Sequence, residues 1–296
     1  MQDDKKYQES QNALARREFV ALSVSAGLVA AAAPGVAAEL KVVENDVTIK
    51  TPDGTCDAAW IHPATGSHPG VIIWTDAFGL RPSFREMGKR VAAEGYSVLV
   101  PNPFYRAAKS PAFTADEIAN FSFQNQTDRA KLNPLMGSIN APDAAEKDAV
   151  AFVAFLDSQK EVNKSKKIGT QGYCMGGPLV LRTAAAVPDR IGAVGSFHGG
   201  GLVSNNPNSP HLLASKIKAK KLYFGVAAND DKNQPDAKDK LKEAFGPRAE
   251  IEVYSMSQHG WCVKDMPLQN GMPIYNQPDA ERAWTKLVAL YKSALA

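Results

Sequence analysis

The chain has 296 residues, of which 44% are hydrophobic and 22% charged, an ordinary globular composition with ample length for a sizeable core. Its 34 basic residues barely exceed its 31 acidic ones, and no basic run or RNA-binding signature accompanies the excess, so nucleic acid is not an expected partner. Three cysteines, Cys56, Cys174 and Cys262, are too few for a disulfide framework.

Residues 1–38 read differently from the rest. Arg16-Arg17 is followed by Phe19-Val20-Ala21-Leu22 and a small, apolar run to Ala33, which Pro34-Gly35 breaks. Val36-Ala37-Ala38 offers the small residues a signal peptidase accepts, completing the order of an export signal. Paired arginines before a modestly hydrophobic core resemble a twin-arginine signal. The alternative is an N-terminal membrane anchor, but the run is shorter than the ~20 apolar residues of a spanning helix. The mature chain is therefore expected to begin near Glu39, to be periplasmic or secreted, and to make no stable membrane insertion, leaving residues 39–296 as a single domain.

Val42 to Lys50 and Ala58 to His62 flank the turn signal Thr51-Pro52-Asp53-Gly54 and predict an N-terminal β-hairpin. Gly70 to Trp74 is a continuous apolar strand of the kind buried on both faces of a parallel sheet. A helix from Ser83 to Glu94, ended by Gly95, precedes the next buried strand, Tyr96 to Val100. Residues 102–140 are rich in Pro, Ser, Asn and Gln; a stretch so long is expected to hold short helices and to cover something. Then come an amphipathic helix, Ala144 to Leu156, a strand, Lys167 to Gln171, and a helix, Met175 to Ala186. Strands Ile191 to Phe197 and Lys221 to Ala228, helix Pro235 to Phe245, strand Ile251 to Tyr254 and helix Pro278 to Leu295 complete the series. This rhythm predicts an α/β fold: a mostly parallel central sheet with helices on both faces and an N-terminal β-hairpin.

The most specific motif is Gly172-Tyr173-Cys174-Met175-Gly176-Gly177, standing directly between a strand and a helix. That is the context of a nucleophile elbow, in which small residues two before and two after the nucleophile let strand and helix approach. Cys takes the central position usually held by Ser, and a helix N-terminus favours its thiolate. The bland alternative is a buried Cys that merely packs at a tight turn. A thiol nucleophile needs a base that takes and returns a proton near neutral pH. Of the five histidines, His259 lies in Ser257-Gln258-His259-Gly260-Trp261, after a late strand and before the last helix, where an α/β-hydrolase carries its histidine. His198, in Phe197-His198-Gly199-Gly200, comes after the elbow and is read as structural or as pocket wall. The acid is sought on Ala228-Asn229-Asp230-Asp231: alignment by the preceding strand favours Asp230, alignment by Pro235 favours Asp231, and Asp230 is preferred. The oxyanion hole is assigned to the backbone N–H groups of Met175 and of Ala77, in Thr75-Asp76-Ala77-Phe78-Gly79.

Together these pieces, with Pro101-Asn102-Pro103-Phe104-Tyr105-Arg106, resemble the dienelactone hydrolase (carboxymethylenebutenolidase) family over most of the chain from Asp76 to the last helix. The resemblance implies an α/β-hydrolase fold, a Cys174-His259-Asp230 triad, and cleavage of a small enol lactone or ester without a cofactor or metal. It further implies that a carboxylate at position 76 takes up the thiol proton, and that Arg106, beside Tyr105, pairs a substrate carboxylate. Two departures are visible: Asp76 stands where family members usually have Glu, and Val263 where a second substrate-binding arginine would fall. A general carboxylesterase with a larger acyl pocket under residues 102–140 is the second enzymatic reading, and a non-catalytic small-molecule binding protein is the third. All three cysteines are expected to be reduced, a Cys56–Cys262 bridge being the alternative.

Overall fold

The computed structural model describes residues 40–269 and 271–295; the expected export signal lies outside them. Among the described residues no helix is long and apolar enough to cross a membrane.

Strands β1 (Val42–Thr51) and β2 (Gly54–Pro63) form the expected hairpin, paired from Thr51↔Gly54 at the turn to Val42↔Pro63. The second strand starts four residues earlier than its apolar run, because the cross-strand ladder continues through Thr55, Cys56 and Asp57. Strand β2 pairs antiparallel with β4 (Ser97–Pro101), and from there the sheet is parallel through β3 (Gly70–Trp74), β5 (Ile168–Tyr173), β6 (Ile191–Phe197), β7 (Lys221–Ala227) and β8 (Ala249–Tyr254). The order across the eight strands is β1-β2-β4-β3-β5-β6-β7-β8.

Every residue of β3, β4, β5 and β6 is buried, so none of them alternates apolar and polar faces; the polar Ser97, Thr170, Gln171 and Ser196 are buried along with the apolar residues. Helix α1 (Pro82–Ala93) and the last helix, Gln277–Ala294, cover one face, tied to each other where Arg90 pairs with Glu281 and stacks over Trp284. Gly88 lets α1 lie close to the sheet: a Cβ there would come within 2.6 Å of Ile61. The opposite face is covered by Ala144–Ser158 and Gly176–Ala186, joined by a two-pronged Arg182–Glu146 pair.

The segment 102–140 does hold short helices, α2 (Ala115–Ala119) and α3 (Gln126–Asn140); with them Ala144–Ser158 is α4 and Gly176–Ala186 is α5. Thr114 and Glu117 close a reciprocal capping box on α2, and Asn125 caps α3, which is how so polar a stretch satisfies its helix ends. What the segment covers is Phe78: the rings of Phe113 and Phe121 pack edge-on against it, with centroids 5.5 and 5.1 Å away. Residues Ala228–Asn233 wind into a short helix, α6, before α7 (Ala237–Phe245); the last helix is α8.

Helix α5 is keyed to the sheet by the buried indole N–H of Trp74, which donates to Thr183 Oγ1 at 2.9 Å. Thr183→Val preserves shape but strands that donor, at an expected cost of about 1–3 kcal/mol. Urea unfolding of the purified protein checks this, and an unchanged midpoint would mean the indole has another partner.

Candidate active site

The site is organised where β5 turns into α5. Cys174 sits on this turn with φ at 52°, in the left-handed region that non-glycine residues rarely occupy. The flanking glycines are there for contact: a Cβ on Gly172 would lie 2.1 Å from Gly176 O, and one on Gly176 would lie 2.5 Å from Trp74 O. The turn is held from both sides. The Cys174 N–H donates to Phe197 O and to His198 Nδ1, each at 3.1 Å, while Cys174 O accepts from Gly177 N–H and Gly200 N–H. The result is a half-buried sulfur at the start of a helix.

His259 reaches the same cleft from the loop after β8. Its N–H donates to Asn229 Oδ1 at 2.8 Å, and its Nδ1 lies 2.8 Å from Asp230 Oδ2. The one-turn helix α6 separates the two aspartates: Asp231 turns away and accepts from Lys238 Nζ at 2.7 Å. Thus Asp230, and not Asp231, faces the imidazole. Burial alone would lower the His259 pKa, but the hydrogen bond to the Asp230 carboxylate and the neighbouring Cys174 sulfur outweigh it and push it up to about 10.

His198 does more than line a wall. It is fully buried with φ at 40°, and burial together with the neighbouring His259 charge holds its pKa well below the usual histidine range. A neutral ring whose Nδ1 accepts the Cys174 N–H must carry its proton on Nε2. Its ring packs edge-on to those of His259 and Trp261, with centroids 5.1 and 5.0 Å away. The only sequence signal for this role was its position at the end of the strand beside the elbow.

Ala77 lines the cleft with Cys174, and Met175 is the first residue beyond the sulfur. Among the described residues neither amide donates to a protein acceptor, as an oxyanion hole requires.

Asp76 lines the cleft but is fully buried: its carboxylate takes two bonds from Arg81, at 2.7 and 2.9 Å, and one from the Phe78 N–H. Arg81 in turn holds Asp265, on the His259 loop, through two further bonds at 2.8 and 3.0 Å. Sequence reasoning missed Arg81 because its partners are 5 and 184 residues away. Arg106 and Tyr105, by contrast, are not among the residues that line the cleft. Arg106 is engaged by Asp148 and Asp53, with its guanidinium over the Tyr105 ring, and Tyr105 donates to Asp148 at 2.7 Å. Burial makes the Asp148 carboxylate expensive to ionise, so this arginine is consumed in supporting it.

The cleft around Cys174 and His259 has a volume of about 650 Å³. The other two cysteines are free and buried, and burial pushes both thiols up: Cys56 donates to Asn102 O, and Cys262 lines a separate cavity between α1 and α8. Among the described residues no group of His, Cys, Asp or Glu is arranged to hold a metal ion.

The strand order, the strained turn at the end of β5 and the late histidine loop define an α/β-hydrolase. The chain belongs to the Dienelactone hydrolase family, whose profile matches residues 56–295. It is 26% identical over 272 residues to a carboxymethylenebutenolidase of Rhodococcus opacus, covering 89% of this chain and 95% of that one. It is 27% identical over 237 residues to a protein named usf of Aquifex pyrophilus, covering 77% and 89%. Among solved structures, a dienelactone hydrolase-like promiscuous phosphotriesterase from metagenomic libraries superposes with a TM-score of 0.66 at 18% identity, covering 86% of this chain and 99% of that one, a likeness of fold.

Removing Arg106 leaves Asp148 buried without its counter-charge. Arg106→Ala is expected to cost about 3–5 kcal/mol of stability, much of it recovered in the Arg106→Ala/Asp148→Asn double variant. Thermal unfolding of the two variants measures this; a stable Arg106→Ala that loses only turnover of acidic substrates would restore Arg106 to the substrate site.

Proposed function

We propose that this hydrolase cleaves small esters or lactones through a Cys174-His259-Asp230 triad. The observation that carries the reading is the convergence on one cleft of a sulfur on a strained strand-to-helix turn and an imidazole backed by a carboxylate at 2.8 Å.

At neutral pH His259 already carries the proton as the Cys174 sulfur attacks the substrate carbonyl, forming the C–S bond and moving the carbonyl electrons onto oxygen. The Ala77 and Met175 N–H groups stabilise that oxyanion. As the tetrahedral species collapses, the C–O bond breaks and His259 returns its proton to the departing alkoxide. Water then attacks the thioester with its proton going to His259, and the second collapse breaks the C–S bond, frees the acid and leaves the sulfur beside the imidazolium. Asp230 holds the imidazole in the tautomer that presents Nε2 to the sulfur and stabilises the imidazolium. With Asp76 committed to Arg81, the whole proton traffic falls to His259. The twin-arginine-like residues 1–38 support an exported enzyme working outside the cytoplasm.

Cys174→Ala and His259→Ala are each expected to lower ester turnover by about 10³-fold or more, and mass spectrometry should find the acyl group of a slow substrate on Cys174. Near-wild-type turnover in Cys174→Ala overturns the mechanism.

The raised His259 pKa sets the alkaline limit. The imidazolium is needed to protonate an alkoxide, so kcat/KM for an alkyl ester should hold through neutral pH and fall as pH rises through about 10. The groups facing His259 are Asp230, Cys174 and the neutral His198. Asp230 raises the pKa, so Asp230→Asn must move that limb to lower pH, whereas Asp231→Asn must not; an unmoved limb in Asp230→Asn removes Asp230 from the triad.

A further inference from the structure

We infer that the cleft selects uncharged substrates bearing an aromatic or aliphatic group and rejects those carrying a carboxylate, an inference that rests on the ester-hydrolase reading above. Three observations converge on it. No Lys or Arg is among the described residues that line the cleft. The nearest buried cation, Arg81, has all five N–H donors committed: two to Asp76, two to Asp265 and one to Gly79 O. The remaining nearby cations are also spent elsewhere. Lys131 lies over the Phe113 ring and pairs with Glu117, Lys264 faces the separate cavity between α1 and α8, and Arg106 serves Asp148.

The fixed charge of the site is instead negative. Asp76 and Asp265 share one arginine, leaving a formal charge of −1, and Asp230 backs the imidazole. A substrate carboxylate entering here would lose its water and meet only the His259 imidazolium, whose charge Asp230 already balances.

What the cleft offers is an aromatic wall. Phe78 is fully buried at its floor, Phe121 packs edge-on to it, and Phe123 packs edge-on to Phe121 with centroids 4.9 Å apart. Met266, Leu268 and Ile274 face them from the His259 loop side. Phe123 and Leu268 are 48% and 54% exposed, a large apolar surface at the mouth of a site that holds a polar reaction. A further ring or branched chain extends this edge-to-face series, with burial of apolar surface as the driving force. Phe121 and Phe123 come from the segment between β4 and α3, so this segment sets specificity for the chemistry performed by the elbow.

A matched pair of esters tests the inference, because the leaving group is held constant. 4-Nitrophenyl heptanoate and 4-nitrophenyl hemiadipate differ chiefly in a terminal ethyl against a carboxylate. The expected kcat/KM ratio is about 100-fold or more in favour of the heptanoate. Phe123→Ala, at a half-exposed position that the core does not need, should raise KM for 4-nitrophenyl phenylacetate about 10-fold. Phe123→Arg should narrow the heptanoate-to-hemiadipate ratio by about 10-fold by supplying the missing cation. A hemiadipate rate equal to or above that of the heptanoate overturns the selectivity while leaving the hydrolase reading intact. Unchanged phenylacetate kinetics in Phe123→Ala removes the aromatic wall from substrate binding. No turnover of any of the three esters, with no acyl adduct on Cys174, overturns both readings.

Discussion

The turn at Cys174 is the constraint on which the rest of the site depends. Its left-handed backbone costs on the order of 1–3 kcal/mol and persists only because its surroundings over-determine it. Those surroundings are particular. The end of β6 supplies two acceptors to the Cys174 N–H, Phe197 O and the His198 ring, and its continuation supplies the Gly200 N–H to the Cys174 carbonyl. His198 is itself left-handed, so two strained residues at the ends of adjacent strands brace each other. A protonated His198 could not accept the cysteine amide, and burial beside His259 keeps it neutral. The strain lifts the sulfur out of the sheet at the first turn of α5, where unpaired helix N–H groups favour developing negative charge.

A second set of contacts fixes the loops around that sulfur. Arg81 joins the loop bearing Asp76 and Ala77 to the loop bearing His259, because it holds Asp76 on one side and Asp265 on the other. An ion pair this buried stabilises little by itself; desolvation offsets most of the attraction. Its effect is geometric, since every N–H of the guanidinium has a partner and the two loops cannot move independently without breaking several bonds. A carboxylate that the resemblance places in the chemistry is here held in this frame by Arg81.

The three thiols illustrate how position divides one residue type. Cys56 and Cys262 are buried, and the loss of solvent disfavours the thiolate of each. Cys174 alone stands half-buried at a helix start with a basic imidazole against it. Reactivity follows the microenvironment, not the thiol itself.

By itself, the sequence determined what depends on near neighbours along the chain. The buried strands announced themselves as apolar runs, the hairpin by Pro52-Asp53-Gly54 between two extended segments, and the elbow by glycines at 172 and 176 that a strand-to-helix turn cannot do without. Chain order then pointed to the late histidine loop. Only the tertiary structure decided which long side chains meet. The sequence preferred Asp230 but left Asp231 open, and a single helical turn sends the first to His259 and the second to Lys238. Arg106 looked available to a substrate until the fold set Asp148, 42 residues on, beneath it. Arg81 carried no local signal, and the aromatic wall of Phe78 and Phe121 forms only when a polar connecting segment folds back over the sheet. Backbone conformation is dictated by local sterics and periodicity, whereas the pairing of charges and rings depends on distances that close only when the whole chain is in place.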